Sequence, residues 1–237
     1  GEIYFNGINL KPELDDCKQQ KAVPDEFLKA VRISQPKIYN KPTFAVNHFD
    51  KTTGDMTCYI SNYFKALYHC DNHYYQVVGN YPGYNSNNIE EYTNSHSIAT
   101  WAEELKSVVI GNDFKNLELS LGSSCLFIYN TESHGYQALL AKKSQGANGF
   151  NDFHVIPASM LQPVGNNPLN YHLELNIKIQ VIRELAEEVF NYPEATGSHA
   201  NNLIDEIYSY PEISHLESLL KSGEAEFHVT GFYLDLF

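Results

Sequence analysis

A chain of 237 residues, 43% hydrophobic and 13% aromatic, is long enough for one large domain or two small ones and apolar enough for a core. Its formal net charge of −13 argues against a non-specific nucleic-acid binder or an anionic-membrane binder, since both need basic patches. No run approaches the ~18 consecutive apolar residues of a membrane-spanning helix.

Cys17, Cys58, Cys70 and Cys125 form no C-x-x-C pair and no dense framework, which fits a reducing compartment and leaves a disulfide open. With no signal-peptide pattern, cytoplasmic is the default expectation, and Gly1 in place of a methionine suggests a processed or tagged start.

In chain order, Pro24 near a first turn predicts a short helix over 24–31. Strands are expected over 43–49 and 56–60, joined by a hairpin turn at Thr52-Thr53-Gly54-Asp55. Residues 61–70 read as helical, 80–88 as a Pro/Gly/Asn loop and 97–109 as a helix carrying Trp101, the lone tryptophan. Gly111-Asn112-Asp113 marks a change of texture. Residues 1–115 are therefore read as an α+β region of unknown role, and 116–237 as a second domain.

That second part is richer in strand signals. A long β segment is expected over 117–130, with Gly122-Ser123-Ser124 as a bulge, then a turn at 131–135 and a second strand over 136–142. A Gly/Asn loop at 144–151 leads to a third strand at 153–157 and a polar connection over 159–170. Helices are expected at 201–210 and 212–221, and a final strand over 226–237.

Between them runs an apolar-periodic helix that begins near Leu173 and ends at Phe190. Ile179, Ile182, Leu185, Ala186 and Val189 share a broad face suited to a core. Glu184, Glu187 and Glu188 lie together on the opposite face, with Gln180 one turn before them. Like charges one turn apart destabilise a helix by roughly 0.2–0.5 kcal/mol per pair. Converging carboxylates suit a hard divalent cation, because Mg²⁺ prefers oxygen ligands and phosphate partners. A solvated acidic face, with Arg183 paired to Glu187, is the plainer reading of the same residues.

Arg183-Glu184-Leu185-Ala186-Glu187-Glu188-Val189-Phe190 resembles the core of the Nudix box, G-x5-E-x7-R-E-U-x-E-E-x-G-U with U aliphatic. The resemblance covers roughly residues 117–237 and implies a mixed sheet flanked by helices, α/β or α+β in class. It implies a hydrolase of a nucleoside diphosphate linked to another group, dependent on Mg²⁺ or Mn²⁺. Glu184, Glu187 and Glu188 would be the metal ligands and catalytic residues, with Arg183 orienting a glutamate. Lys142 and Lys143, on the strand before the loop, would face the substrate phosphates. The expected partner is a small-molecule nucleotide; neither nucleic acid nor membrane is expected, and a homodimer is compatible.

The match is strong over those eight positions and poor before them. Ser159 stands where the box has its glycine, and about nine extra residues, 163–171, separate the turn from the helix. The early Glu falls at Leu175, with Glu174 one position off, and the later Gly is Phe190. The end at Phe237 leaves little room for the later strands of such a sheet, so they are supplied elsewhere or the chain is a fragment. These departures keep a second expectation alive, a non-catalytic Nudix-fold module that binds nucleotides or regulates. The general base stays open among Glu174, Glu194, Asp205 and Glu206.

Other chemistry is thinner. His69-Cys70-Asp71-Asn72-His73, with Cys58 upstream, offers one half of a zinc arrangement, and incidental surface histidines are the favoured reading. Ser123-Ser124-Cys125 lacks the G-x-S-x-G context of a nucleophile elbow, and no P-loop is present. His154 reads as structural, beside the expected box turn.

Overall fold

The computed structural model describes residues 4–5, 8–15, 23, 25, 28–29, 39–50, 52–68, 119–142, 153–164, 168–193 and 203–231. Most of the helix expected at 24–31, the loops at 80–88 and 144–151, the helix at 97–109 and the punctuation at 111–113 lie outside them. So do the His69–His73 cluster, Lys143, Glu194 and residues 232–237. The class is α+β, with one mixed sheet and several helices. The chain divides into two compact units, Gly1–Ser120 with Val229–Phe237, and Leu121–His228.

In the first unit, β1 (Tyr4–Phe5) pairs with β2 (Ile8–Asn9), and a four-stranded sheet forms from β3 (Lys11–Leu14), β4 (Pro42–Phe49), β5 (Asp55–Asn62) and β6 (Leu119–Ser120). Its order is β3-β5-β4-β6, with β3 parallel to β5 and the other pairs antiparallel. The β4–β5 hairpin follows the expected turn. Asp50 accepts the Thr52 N–H through Oδ1 at 2.7 Å, and Gly54 at φ 79° supplies the left-handed residue that closes the turn. Thr43, Phe44 and Ala45 are buried in succession, so both faces of β4 are covered. Burial within β5 pushes the Cys58 thiol up to about 12. The hairpin strands run longer than expected, and the helical stretch begins at 63, where Asn62 Oδ1 accepts the Lys65 N–H at 3.0 Å.

In the second unit the expected long strand is broken. β7 (Gly122–Ser124) pairs with β12 (Ala158–Met160), whereas β8 (Ile128–Thr131) pairs with β9 (Gly135–Ala138). The connection expected from 159 thus opens as a strand. The strand expected over 136–142 divides at Leu139, whose N–H turns to the Phe127 carbonyl at 2.9 Å, and β10 (Leu140–Lys142) pairs with β11 (Phe153–Val155). Among the described residues this unit pairs its strands two by two. The mixed sheet lies in the first unit, and described residues 226–231 form no strand element.

The helix expected from Leu173 is two helices, α1 (Tyr171–Glu174) and α2 (Ile177–Glu188). Asn176 divides them, because its side chain accepts the Ile179 N–H at 3.2 Å as an N-cap. α3 (Leu203–Ser209) and α4 (Pro211–Ser222) follow as the sequence indicated, with Pro211 in the first turn of α4. Ile182, Leu185 and Ala186 of α2 pack with Ile207 and Ile213, and Val189 and Phe127 close on the edge of that core. Among the described residues no helix is long and apolar enough to cross a membrane.

Candidate functional site

The acidic face of α2 is narrower than helical periodicity alone indicates. Gln180 and Arg183 are buried alongside Ile177, Val181, Ile182, Leu185 and Ala186. Gln180, placed with the exposed carboxylates by its spacing, turns inward and donates through Nε2 to the Glu174 carbonyl at 3.0 Å. The reason is the break at Asn176, since the end of α1 leaves a carbonyl that the side chain one turn on can satisfy. Ile179, placed on the core face, is only half-buried.

Arg183 organises what remains. Its guanidinium donates to the Gln162 carbonyl at 2.8 Å, hydrogen-bonds Glu184 Oε1, and stands 3.9 Å from Glu187 Oε1. Its side chain is only 8% exposed, so these bonds offset a desolvation cost of several kcal/mol for a buried cation. It orients two glutamates and ties α2 to the connection after β12.

Glu188 has a different partner. Its Oε2 accepts the Ala158 N–H at 3.3 Å, from the first residue of β12, 30 positions earlier. Partial burial raises its carboxyl above the usual range; the Ala158 N–H opposes that, the Glu184 charge adds to it, and the His154 charge opposes it. Glu184, Glu188 and His154 therefore share one electrostatic neighbourhood. The Nδ1 of His154 lies 3.1 Å from the Val155 carbonyl, within β11.

Glu174, which the sequence left one position off the early box Glu, is 4% exposed, and Leu175 beside it is also buried. Its Oε2 accepts the Val164 N–H at 2.6 Å. Burial raises its pKa, against the Val164 bond and the Arg183 charge. This carboxylate braces the connection instead of facing solvent.

The other candidates are not drawn to this face. Lys142 is exposed at the end of β10, opposite Phe153, and among the described residues nothing ties it to the glutamates. Asp205 and Glu206 sit in the first turn of α3, where Glu206 meets Tyr210. Cys125 is half-buried, and burial raises its thiol, which disfavours the nucleophilic thiolate. Sequence reasoning missed the Ala158 N–H and the Gln162 carbonyl as partners of the acidic face. Backbone groups carry no residue-type signal, so only the fold reveals them.

Among the described residues, no group of three or more His, Cys, Asp or Glu side chains is placed to hold a metal ion. Glu184 and Glu188 still offer hard oxygen donors in one neighbourhood, and Mg²⁺ is commonly held by one or two carboxylates with phosphate oxygens and water completing its shell. Comparison with family models, curated proteins and solved structures gave no match.

Proposed function

We propose that the second unit is a Nudix-like hydrolase, dependent on Mg²⁺ or Mn²⁺, acting on a nucleoside diphosphate linked to another group. The observation that carries this reading is the bond from Ala158 N–H to Glu188, which joins the first residue of β12, just past the Ile156-Pro157 bend after β11, to the acidic face of α2. The resemblance calls for a strand and turn that lead into such a helix. In the folded chain the two meet although about thirty residues of sequence separate them.

In this reading Glu184 and Glu188 would hold the ion, and Glu187 would support them through Arg183. A bound divalent ion neutralises phosphate charge and lowers the pKa of a bound water. The chain's own residues do the positioning. Arg183 fixes the Glu184 carboxylate and, through Gln162, the height of α2 against the connection. The Ala158 N–H fixes one oxygen of Glu188 and leaves the other side of the carboxylate for a ligand. Lys142 is proposed as a phosphate contact on the basis of the resemblance alone.

Turnover of ADP-ribose, nucleotide sugars and dinucleotides with Mn²⁺ tests the proposal, with loss of activity in Glu188→Gln as the expected control. A panel with no turnover contradicts it. A non-catalytic nucleotide-binding module is the second reading. Arg183, tied to both Glu184 and Glu187, favours that reading by occupying two of the three carboxylates. Binding without turnover selects it.

A further inference from the structure

The strands from β7 to β11 carry apolar side chains on both faces. Over 121–128 exposure alternates residue by residue, with Leu126 and Ile128 outward and Cys125 and Phe127 half-buried. The same alternation runs from Tyr136 to Lys142 and passes through Leu139 without a break. Tyr136, Ala138, Leu140 and Lys142 therefore share a face, although the pairing partner changes at Leu139. The ladders join these rows into one surface, with Ile128 opposite Ala138 and Lys142 opposite Phe153.

Phe127, on the other face, packs on the Ile182–Leu185–Ala186–Ile207–Ile213 core. The face away from that core should be polar in an antiparallel ribbon with one wet side. Instead it carries Leu126, Ile128, Tyr136, Leu140 and Phe153, between 46% and 82% exposed. Five such side chains on one face approach the few hundred Å² of contiguous apolar surface that a monomer ordinarily leaves in water.

Charge selects what covers it. The chain has a formal net charge of −13, yet the described residues of this face include no carboxylate. Its two ends are oppositely charged. Glu132 is exposed in the turn between β8 and β9, where Thr131 Oγ1 accepts the His134 N–H at 3.2 Å, and Lys142 is exposed at the far end of β10. Among the described residues neither has an ionic partner within the chain. A face with an acidic end, an uncharged apolar middle and a basic end complements itself when turned through a two-fold axis.

We propose that this face seats a second copy of the chain, in an isologous contact that sets Glu132 of one copy against Lys142 of the other. The apolar middles exclude water, and the two end pairs fix the antiparallel register. A partner of one charge throughout would satisfy one end and repel the other. Lys142 thereby meets a carboxylate across the axis, a role different from the phosphate contact that resemblance alone gives it. The contact needs neither metal nor nucleotide.

Sedimentation equilibrium of the full chain tests the proposal. The parent is expected at twice the 26.9 kDa chain mass at micromolar concentration. Tyr136→Arg, at a side chain 82% exposed, is expected to be monomeric under the same conditions. Glu132→Lys and Lys142→Glu are each expected to weaken dimerisation by about fivefold or more, because the axis repeats the lost pair. These two changes shift the net charge in opposite directions, so a loss in both is not a general charge effect. The double variant Glu132→Lys/Lys142→Glu restores both pairs with the parent's composition, and its dimerisation is expected within about twofold of the parent. Should Tyr136→Arg fail to fold, Ile128→Lys on the same face takes its place with the same expected outcome. A monomeric parent overturns the proposal, as does parent-like dimerisation of the substituted face. A double variant no tighter than the single ones overturns the antiparallel register, and the self-complementary contact with it.

Discussion

The β4–β5 hairpin and α2 each supply buried core residues to their own unit, and they are specified in opposite ways. The hairpin's turn is held by contacts two residues apart, Asp50 with Thr52, and its pairing partners fan out symmetrically from that turn, reaching Phe44 opposite Ile60. The polar partners of α2 lie 21 residues away for Arg183 with Gln162 and 30 for Glu188 with Ala158. Apolar alternation and turn chemistry encode the first. The second is encoded by a few side chains whose targets are backbone groups of a distant connection.

Substitutions at the centre of each region separate the two modes. Phe44, fully buried in β4, is expected to lose about 3–5 kcal/mol as Phe44→Ala in chemical denaturation, a loss set by cavity and transfer terms alone. Arg183→Ala is expected to cost roughly 3 kcal/mol, because it leaves the Gln162 carbonyl and two partly buried glutamates without their cation. Arg183→Met keeps most of the apolar stem, so a loss close to that of Arg183→Ala locates the cost in charge and hydrogen bonding; near-complete recovery locates it in packing.

Smaller effects sharpen the contrast. Asn176→Ala removes the cap that divides α1 from α2, for a loss of about 1 kcal/mol. Refusion of the two helices, seen as added helical signal in circular dichroism, would make that loss smaller. The smallest expected effect is electrostatic. Glu174 is raised by burial, so the folded state holds its proton more tightly than the unfolded state. Its penalty is absent below the unfolded carboxyl range, grows as pH rises toward the folded value, and is constant above it. Melting of the parent should therefore fall relative to Glu174→Gln as pH rises from the mid-acidic range to neutral. Parallel melting curves across that range would contradict the burial of a charged carboxylate.

These effects follow what the sequence made legible. The hairpin at Thr52–Asp55, the helices after 201 and the core residues Ile182, Leu185 and Ala186 came from local period and turn residues. The β7–β12 pairing did not, because Gly122-Ser123-Ser124 has little apolar pattern and its partner lies past the loop. The helix break at Asn176 was hidden inside a run whose apolar period continues across it. At the candidate site the pairing of Arg183 with Glu187 one turn on was readable from spacing. The inward turn of Gln180 and the burial of Glu174 were not, since both answer to backbone groups exposed where the run breaks.

The proposal that Glu184 and Glu188 hold a divalent ion against a diphosphate is tested most directly by electron paramagnetic resonance of Mn²⁺. The free-ion signal is followed with the parent, Glu188→Gln and Glu184→Gln, each in the presence of ADP-ribose. The parent should deplete the free-ion signal, and each variant should weaken binding by at least about tenfold, as expected when one of the few protein ligands of a phosphate-bound ion is lost. Equal Mn²⁺ binding by all three proteins would remove the acidic face of α2 from the site.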